Sequence, residues 1–500
     1  MSVYYNYRDL DLGSCSTVII GKNASTTGRV IMGHNEDDDH AIAQAHIVPH
    51  MHHEPGEMVT FEDGLAIIPQ VEETLGYLWT DVKCPGGISF ADTFVNECGV
   101  AIATNACRES RDATGAVQDN WKDYNVGYAL RRLIAERAHN AREGVKVAAE
   151  LVEKYGYTSS RSYQIADKDE AWVLQVPRGF RCVAKRVPDD HVYYIPNHYT
   201  IHEVKFDDPD NYYASPDLIT FAIEQGWYTP AKEGDYSDFD FAKAYQAPEP
   251  ELMQVNLARA TDAWKRLTGI EFKPEEIRIF SRKADRKFGP DDIKAILRSH
   301  GDNTPYDMTK GGTITPHRHF VCDSICNNVT VESSIFVFND DLNLLKVLRT
   351  GPKPCTNPYV PWYALSLKKM PKGYEWNTVR QAQTSHFKWD PEVNEFDPNK
   401  AWFAMKTLQL PYEYNWPMTH RAVEASIKLI EAEWAEESEA VEDTYRKLKE
   451  TDEEAAKNYL SDYTIRQAEK AVDWARSMTA FFADDFWRED QYGPEEDLYK

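Results

Sequence analysis

The sequence predicts an α/β protein of the α+β kind, in which antiparallel sheets are stacked and covered by helices. Three observations predict it. Short β-branched or aromatic runs stand both before and after a pair of amphipathic helices. The runs after the helices are separated only by short polar turns, which gives an antiparallel meander. A long stretch rich in Ala, Glu and Lys, with interleaved aromatics, closes the chain as helix.

The first element is a hairpin. STVII (16–20) and RVIMG (29–33) are β-branched runs joined by the turn GKNASTTG. Folding about residues 24–25 sets residue 15 opposite residue 34. Cys15 is therefore expected beside His34, with Asn35 and Asp37 within side-chain reach. Further strands are expected at 46–50, 64–69 and 98–104. A helix over 124–139 follows from Val126, Leu130, Leu133, Ile134 and Ala138 at helical spacing. A second, AREGVKVAAELVEKY (141–155), stops at Gly156. Strands return at 162–166, 171–176, 181–186 and 191–195. Residues 203–275, with many Asp, Pro and Tyr, read as irregular. A helix at 290–299, strands at 321–326 and 331–338, and helices from 419 to 482 complete the chain. The expected division is a leader (1–14), a catalytic-type domain (15–418) and a C-terminal helical extension (419–500).

Composition narrows the function classes. Hydrophobic residues make up 42% of the 500, enough for a large core. The 56 basic residues face 81 acidic ones, a net charge of −25. Such a surface repels phosphate backbones and anionic lipid, so neither nucleic acid nor membrane is an expected partner. No apolar run approaches the roughly 18 residues of a spanning helix. MSVYYNYRDLDLGS has no apolar segment of the secretory kind. Eight cysteines in 500 residues are too sparse for a disulfide scaffold, so free thiols in the cytoplasm are expected. Association into homo-oligomers stays open.

The chemistry centres on GSCS (13–16). A free thiol has a pKa of about 8.5 and is a weak nucleophile until deprotonated. If the chain is cut before Cys15, the new α-amino group, with a pKa near 7.7–8.0, sits on the same residue and can take the thiol proton. The structural alternative is a buried small hydrophobe at a strand start. Asp37 is a candidate to orient the amine, and an asparagine elsewhere to donate to an oxyanion. His46, His50, His52 and His53 fit no standard metal spacing, and Cys322-x3-Cys326 lacks a second ligand pair. No metal and no cofactor are expected. Neither a phosphate-cradling glycine loop nor a Gly-x-Ser-x-Gly elbow is present. Trp79, Trp172 and Trp362 are core aromatics or pocket walls, and Trp79 and Asn35 are the candidate substrate contacts.

Seven segments in order resemble the cysteine dipeptidases of the N-terminal-nucleophile hydrolase superfamily, the dipeptidase A type to which the secernins are related. They are CSTVIIGKNASTTGRVIMGHNED, VNECGVAI, LIAERAHNAREGVKVAAELVEKYG, QIADKDEAWVLQV, RVPDDHVYYIPNHYTI, LRSHGDNTPYDMTKG and NPYVPWYAL. The resemblance implies a four-layer αββα sandwich. It also implies Cys15 as nucleophile after Ser14–Cys15 cleavage, Asp37 on the α-amine, Asn197 in the oxyanion hole, and Asn105 as a second contact there. Two departures stand out. His34 occupies a place where many relatives have arginine, and CNNVTVESS (326–334) lacks an arginine that dipeptidases tend to carry. Because His titrates near 6.5 and Arg does not, the charge that steadies Asp37 or a substrate carboxylate is expected to be missing or pH-dependent.

The expected function is therefore a self-processing cysteine amidohydrolase acting on dipeptides or other small amides. The alternatives are an acylase for a non-peptide N-acyl amide and a non-catalytic, secernin-like scaffold.

Overall fold

The computed structural model describes residues 15–492 except 39–40, 60–65, 84–90, 108–109, 112–124, 158, 248–253, 274–275, 278, 311–314, 318–322, 385–394 and 415. Residues 1–14, the expected leader, and Cys322 thus lie outside the described residues. The strands, in chain order, are β1 (Ser16–Ile20), β2 (Ile31–Asp37), β3 (Ile42–Val48), β4 (Met51–His52), β5 (Glu73–Thr74), β6 (Tyr77–Lys83), β7 (Ala91–Asn96), β8 (Ala101–Ala106), β9 (Arg161–Ala166), β10 (Ala171–Val176), β11 (Val183–Val187), β12 (His191–Ile195), β13 (Tyr212–Ala214), β14 (Ser281–Lys283), β15 (Thr330–Val337), β16 (Lys346–Thr350) and β17 (Val360–Tyr363). Two antiparallel sheets carry most of them. One runs β14-β12-β1-β2-β15-β16-β17, the other β13-β11-β10-β9-β8-β7-β6-β3.

Alternation along the strands sorts side chains into layers. Ile19 and Met32 of the first sheet meet Val95, Ala101, Ala103 and Val173 of the second in one apolar layer between the sheets. On the outer face of the second sheet, Trp79, Phe94, Ile165 and Trp172 pack under α1 (Leu130–Arg137) and α2 (Ala141–Tyr155). On the outer face of the first sheet, Val18, Ile20, Ile31 and Ile335 pack under two further helices, Gln254–Thr268 and Pro290–Leu297. The order is helix, sheet, sheet, helix, the four-layer sandwich that the resemblance implies.

Local signals explain most elements. Asn140 caps α2 by accepting the Glu143 N–H at 2.9 Å, and Gly156, at φ 80°, ends it in a conformation that side chains resist. Residues 203–275 are more ordered than their composition suggests. They hold β13, α3 (Leu218–Glu224), α4 (Phe241–Tyr245) and α5 (Gln254–Thr268). α5 is made by Leu257, Ala260, Trp264 and Leu267, spaced three or four apart on one face. α6 (Pro290–Leu297) follows, with Pro at its start and the Asp292 carboxylate accepting the Gly289 N–H at 2.8 Å.

The described parts of 64–69 and 321–326 form no strand. In the second, Ser324 donates to the Cys326 carbonyl at 2.6 Å and Asn327 to the Ser324 carbonyl at 3.3 Å, closing turns that compete with a ladder. The C-terminal helices are Trp416–Lys449 and Glu453–Tyr492. Ile430, Trp434, Ala468 and Val472 join the same apolar cluster as Trp362 of β17. No helix among the described residues is long and apolar enough to cross a membrane.

Candidate active site

The site grows out of the β1–β2 hairpin. Pairing sets Thr17, not Cys15, opposite His34, and Ser16 opposite Asn35. The register differs by two residues from the expected one because Arg29 and Val30 belong to the turn, where Arg29 pairs with Asp169 and Asp340. A two-residue slip preserves the face on which each side chain lies. Cys15 and His34 therefore still share the face between the sheets, and Glu36 joins them. The Cys15 sulfur, a His34 ring nitrogen and a Glu36 carboxylate oxygen lie within 4.8 Å of one another. These three donors could also hold an ion.

Cys15 is buried, yet its surroundings are polar. Its Sγ lies 3.9 Å from the backbone carbonyl of Asp37. A hydrogen-bond chain fixes the histidine beside it. His34 Nδ1 is 2.7 Å from the Thr17 hydroxyl, which donates to Asn105 Oδ1 at 2.6 Å. Asn105 Nδ2 in turn donates to the Ile195 carbonyl at 3.3 Å. With Nδ1 on Thr17, Nε2 of His34 faces Glu36 at 3.3 Å. Asn105 is a buried strand residue within β8, and its observed contact is to the ring-holding Thr17.

A group missed at the sequence level ties the hairpin to Asn197. Arg259 of α5 is fully buried; its Nη1 donates to the Cys15 carbonyl at 2.7 Å, and its Nη2 donates to Asn197 Oδ1 and to Asn256 Oδ1, both at 2.8 Å. Asn197 Nδ2 donates to the Ala106 carbonyl at 2.9 Å. Helix α5 thus brings a permanent cation to the hairpin, close enough to favour the charged form of Asp37. Its signal in the sequence is Asn256-x-x-Arg259, two polar residues one turn apart beside the apolar stripe of Leu257, Ala260, Trp264 and Leu267.

Asp37 lies on the opposite face of β2 from His34, toward the helices. Asn327 Nδ2 donates to its Oδ2 at 2.7 Å, whereas Oδ1 has no hydrogen-bond partner among the described residues. Burial pushes the Asp37 carboxyl up to about 7, against the opposing pull of the Thr330 hydroxyl, the Arg259 guanidinium and Asn327. A carboxylate with an unfilled oxygen next to a strand start is suited to receive a new positive charge.

Two expected substrate contacts are not at this place. Asn35 points away from the sulfur, and its Nδ2 donates to the Leu297 and Ile325 carbonyls at 2.9 and 3.0 Å. Trp79 stacks on Phe94 at 5.9 Å beneath α1 and α2, on the far face of the second sheet. Its alternation, not its size, decides this. The histidines of 46–53 pair with carboxylates instead of converging. His46 meets Glu375 at 2.9 Å, His52 meets Glu73 at 2.9 Å, and His53 meets Glu57 at 3.0 Å.

The sequence pattern of Peptidase family C69 matches residues 14–407. The chain belongs to that family. The C69 match opens one residue before Cys15 and closes before the helix Trp416–Lys449. This C69 chain is 28% identical over 311 residues to "Probable dipeptidase" of Latilactobacillus sakei, and 29% identical over 310 residues to "Probable dipeptidase B" of Lactococcus lactis subsp. lactis. Each match covers 61% of this chain and 64% of the relative, so the chain spans just under two thirds of their length. A third, "Probable dipeptidase B" of Streptococcus pyogenes serotype M6, is 23% identical, with 93% of this chain and 92% of the relative covered. Among solved structures, penicillin V acylase from Agrobacterium tumefaciens is 13% identical, with 67% of this chain and 82% of that chain covered and a TM-score of 0.33. That overlap is too loose to carry an argument.

Proposed function

We propose that this protein is a cysteine amidohydrolase of the N-terminal-nucleophile type, cleaving the amide bond of short peptides, dipeptides foremost, once residues 1–14 are removed. The carrying observation is the convergence at Cys15: a sulfur beside His34 and Glu36, a carbonyl clamped by Arg259, and Arg259 holding Asn197. The family match that begins at Ser14 supports the boundary.

In the first step the Cys15 sulfur attacks the Ser14 carbonyl, and the peptide nitrogen leaves as the Cys15 amine. Water then hydrolyses the thioester, giving a Ser14 carboxylate and a free thiol. In turnover the amine accepts the thiol proton, and the thiolate adds to the substrate carbonyl. Asn197 Nδ2 donates to the developing oxyanion with its second hydrogen, while Arg259 fixes its amide plane. The amine leaves with a proton from the Cys15 ammonium, and water releases the acyl group. Asp37 Oδ1 holds the ammonium in place.

A pocket further along the same sheet supports charged, short substrates. Glu332 of β15 stands opposite Glu36, so it is two strand spacings, roughly 10 Å, from β1. Glu332, Arg349, Thr350, Tyr374 and Trp402 line the pocket. Arg349 Nε bonds Glu332 Oε1 at 3.1 Å. Arg349 Nη1, Glu332 Oε2 and Thr350 Oγ1, all buried, have no hydrogen-bond partner among the described residues. A donor and an acceptor left over together suit the charged ends of a peptide; a greasy acyl chain would leave both unsatisfied.

The test is a panel of unblocked dipeptides against N-acyl amides. Dipeptides are expected to lead in kcat/KM, and Arg349→Gln to raise their KM about tenfold, the loss of one charge-assisted hydrogen bond. Preference for N-acyl amides with a silent Arg349→Gln would favour the acylase reading. No turnover of either class, with no labelling of Cys15 by a thiol-reactive amide analogue, would favour the scaffold.

A further inference from the structure

A second thiol and imidazole cluster lies outside the site just described. His300 follows α6, His317 and Cys326 lie in the loops before β15, and Cys355 lies in the loop after β16. All four are buried. Their donor atoms lie within 4.8 Å of one another. His317 Nε2 is the hub: His300 Nε2 is 3.0 Å away, Cys355 Sγ 3.3 Å and Cys326 Sγ 3.6 Å.

Hydrogen bonding alone does not account for this convergence. One ring nitrogen offers either one lone pair or one proton, and here three groups approach it together. A cation at the centre accepts a lone pair from each of the four. The spacings agree with that. Zinc bonds of about 2.0–2.1 Å to nitrogen and 2.3 Å to sulfur, set tetrahedrally, give donor separations of about 3.3 Å between nitrogens and 3.6 Å from nitrogen to sulfur. Two thiolates would also neutralise a divalent ion, which removes the cost of burying it.

We propose that His300, His317, Cys326 and Cys355 form a structural zinc site. Two thiolates and two imidazoles in a closed tetrahedron are the donor set that zinc favours, with no open corner for catalysis. The outer contacts fit. His317 Nδ1 faces Glu413 Oε1 at 3.4 Å, and the same carboxylate pairs with Lys353. Leu408, Tyr412, Val423 and Ile427 close an apolar shell around the thiols.

The ion would act as a clamp on the active-site hairpin. Cys326 sits between Ile325, whose carbonyl accepts Asn35, and Asn327, which donates to Asp37. Its own N–H donates to the Ser299 carbonyl at 2.9 Å, beside the first histidine. Fixing Cys326 thus fixes the loop that holds β2. The site has no local motif: His317 is 17 residues from His300, 9 from Cys326 and 38 from Cys355. The expectation of no metal rested on the absence of such a motif.

The test is the metal content of the full-length protein, purified under reducing conditions without chelator. One zinc per chain is expected, with Cys326→Ser and Cys355→Ser losing it and Cys15→Ala keeping it. Replacement by cobalt in the unmodified protein should give the strong visible bands of a tetrahedral thiolate site, a readout that needs no variant to fold. A natively folded, zinc-free protein would overturn the proposal. So would a Cys326–Cys355 disulfide found by mass, or zinc that depends on Cys15 instead.

Discussion

Two buried clusters in this chain each set cysteine beside histidine, and the histidines at their centres are bonded in opposite ways. At Cys15 the neighbouring histidine has a separate oxygen for each nitrogen, Thr17 on Nδ1 and Glu36 on Nε2, so its hydrogen-bonding capacity is spread along a chain. At Cys326 and Cys355 the donors point at one spot, and His317 Nε2 faces three of them. Residue type does not separate the proposed nucleophile from the proposed ligands. Whether the lone pairs are distributed or converge does, because a distributed set can move a proton while a convergent set demands a cation.

Removing the link on the nucleophile side should have the larger effect. Arg259→Met deletes the contacts to Cys15, Asn197 and Asn256, and kcat is expected to fall by about 10²–10³, the cost of one misplaced oxyanion donor. KM should change little and zinc content not at all. Arg259→Lys, which keeps a charge for the Cys15 carbonyl, should recover part of the rate. A loss confined to KM, or a loss of metal, would blur the separation between the clusters.

The next effect is one of pH. In an unprocessed chain no ammonium faces Asp37, and its folded pKa of about 7 lies above the ordinary value near 3.8. A carboxyl raised in this way lends stability that is full below about pH 4 and is lost as pH rises through 7. The loss is up to roughly 4 kcal/mol for a shift of this size. Unprocessed Cys15→Ala should show that decline in urea titrations, and adding Asp37→Asn should flatten it. An unchanged decline in the double variant would assign it to another group.

Much of this was legible in the residues. The hairpin, α2, β10 and β12 follow from β-branched runs, a capping asparagine and a stopping glycine. The sulfur and His34 were matched on the correct face although the register was two residues off, because the pleat repeats every two. Asn35 and Trp79 point away from the sulfur, since one step of alternation carries a side chain through the sheet. Arg259 was hidden in a stretch whose Asp and Pro content masked the helical spacing of Leu257, Trp264 and Leu267. His300, His317, Cys326 and Cys355 carry no local signal, as only the packing of two connections, α6 to β15 and β16 to β17, brings them together.

The claim that governs the rest is that Cys15 becomes the first residue by its own chemistry. Intact-mass spectrometry of the purified protein, alongside Cys15→Ala, tests it directly. The account predicts loss of residues 1–14 in the unmodified chain and their retention in the variant. A full-length mass for both, in a preparation that still hydrolyses dipeptides, would contradict it.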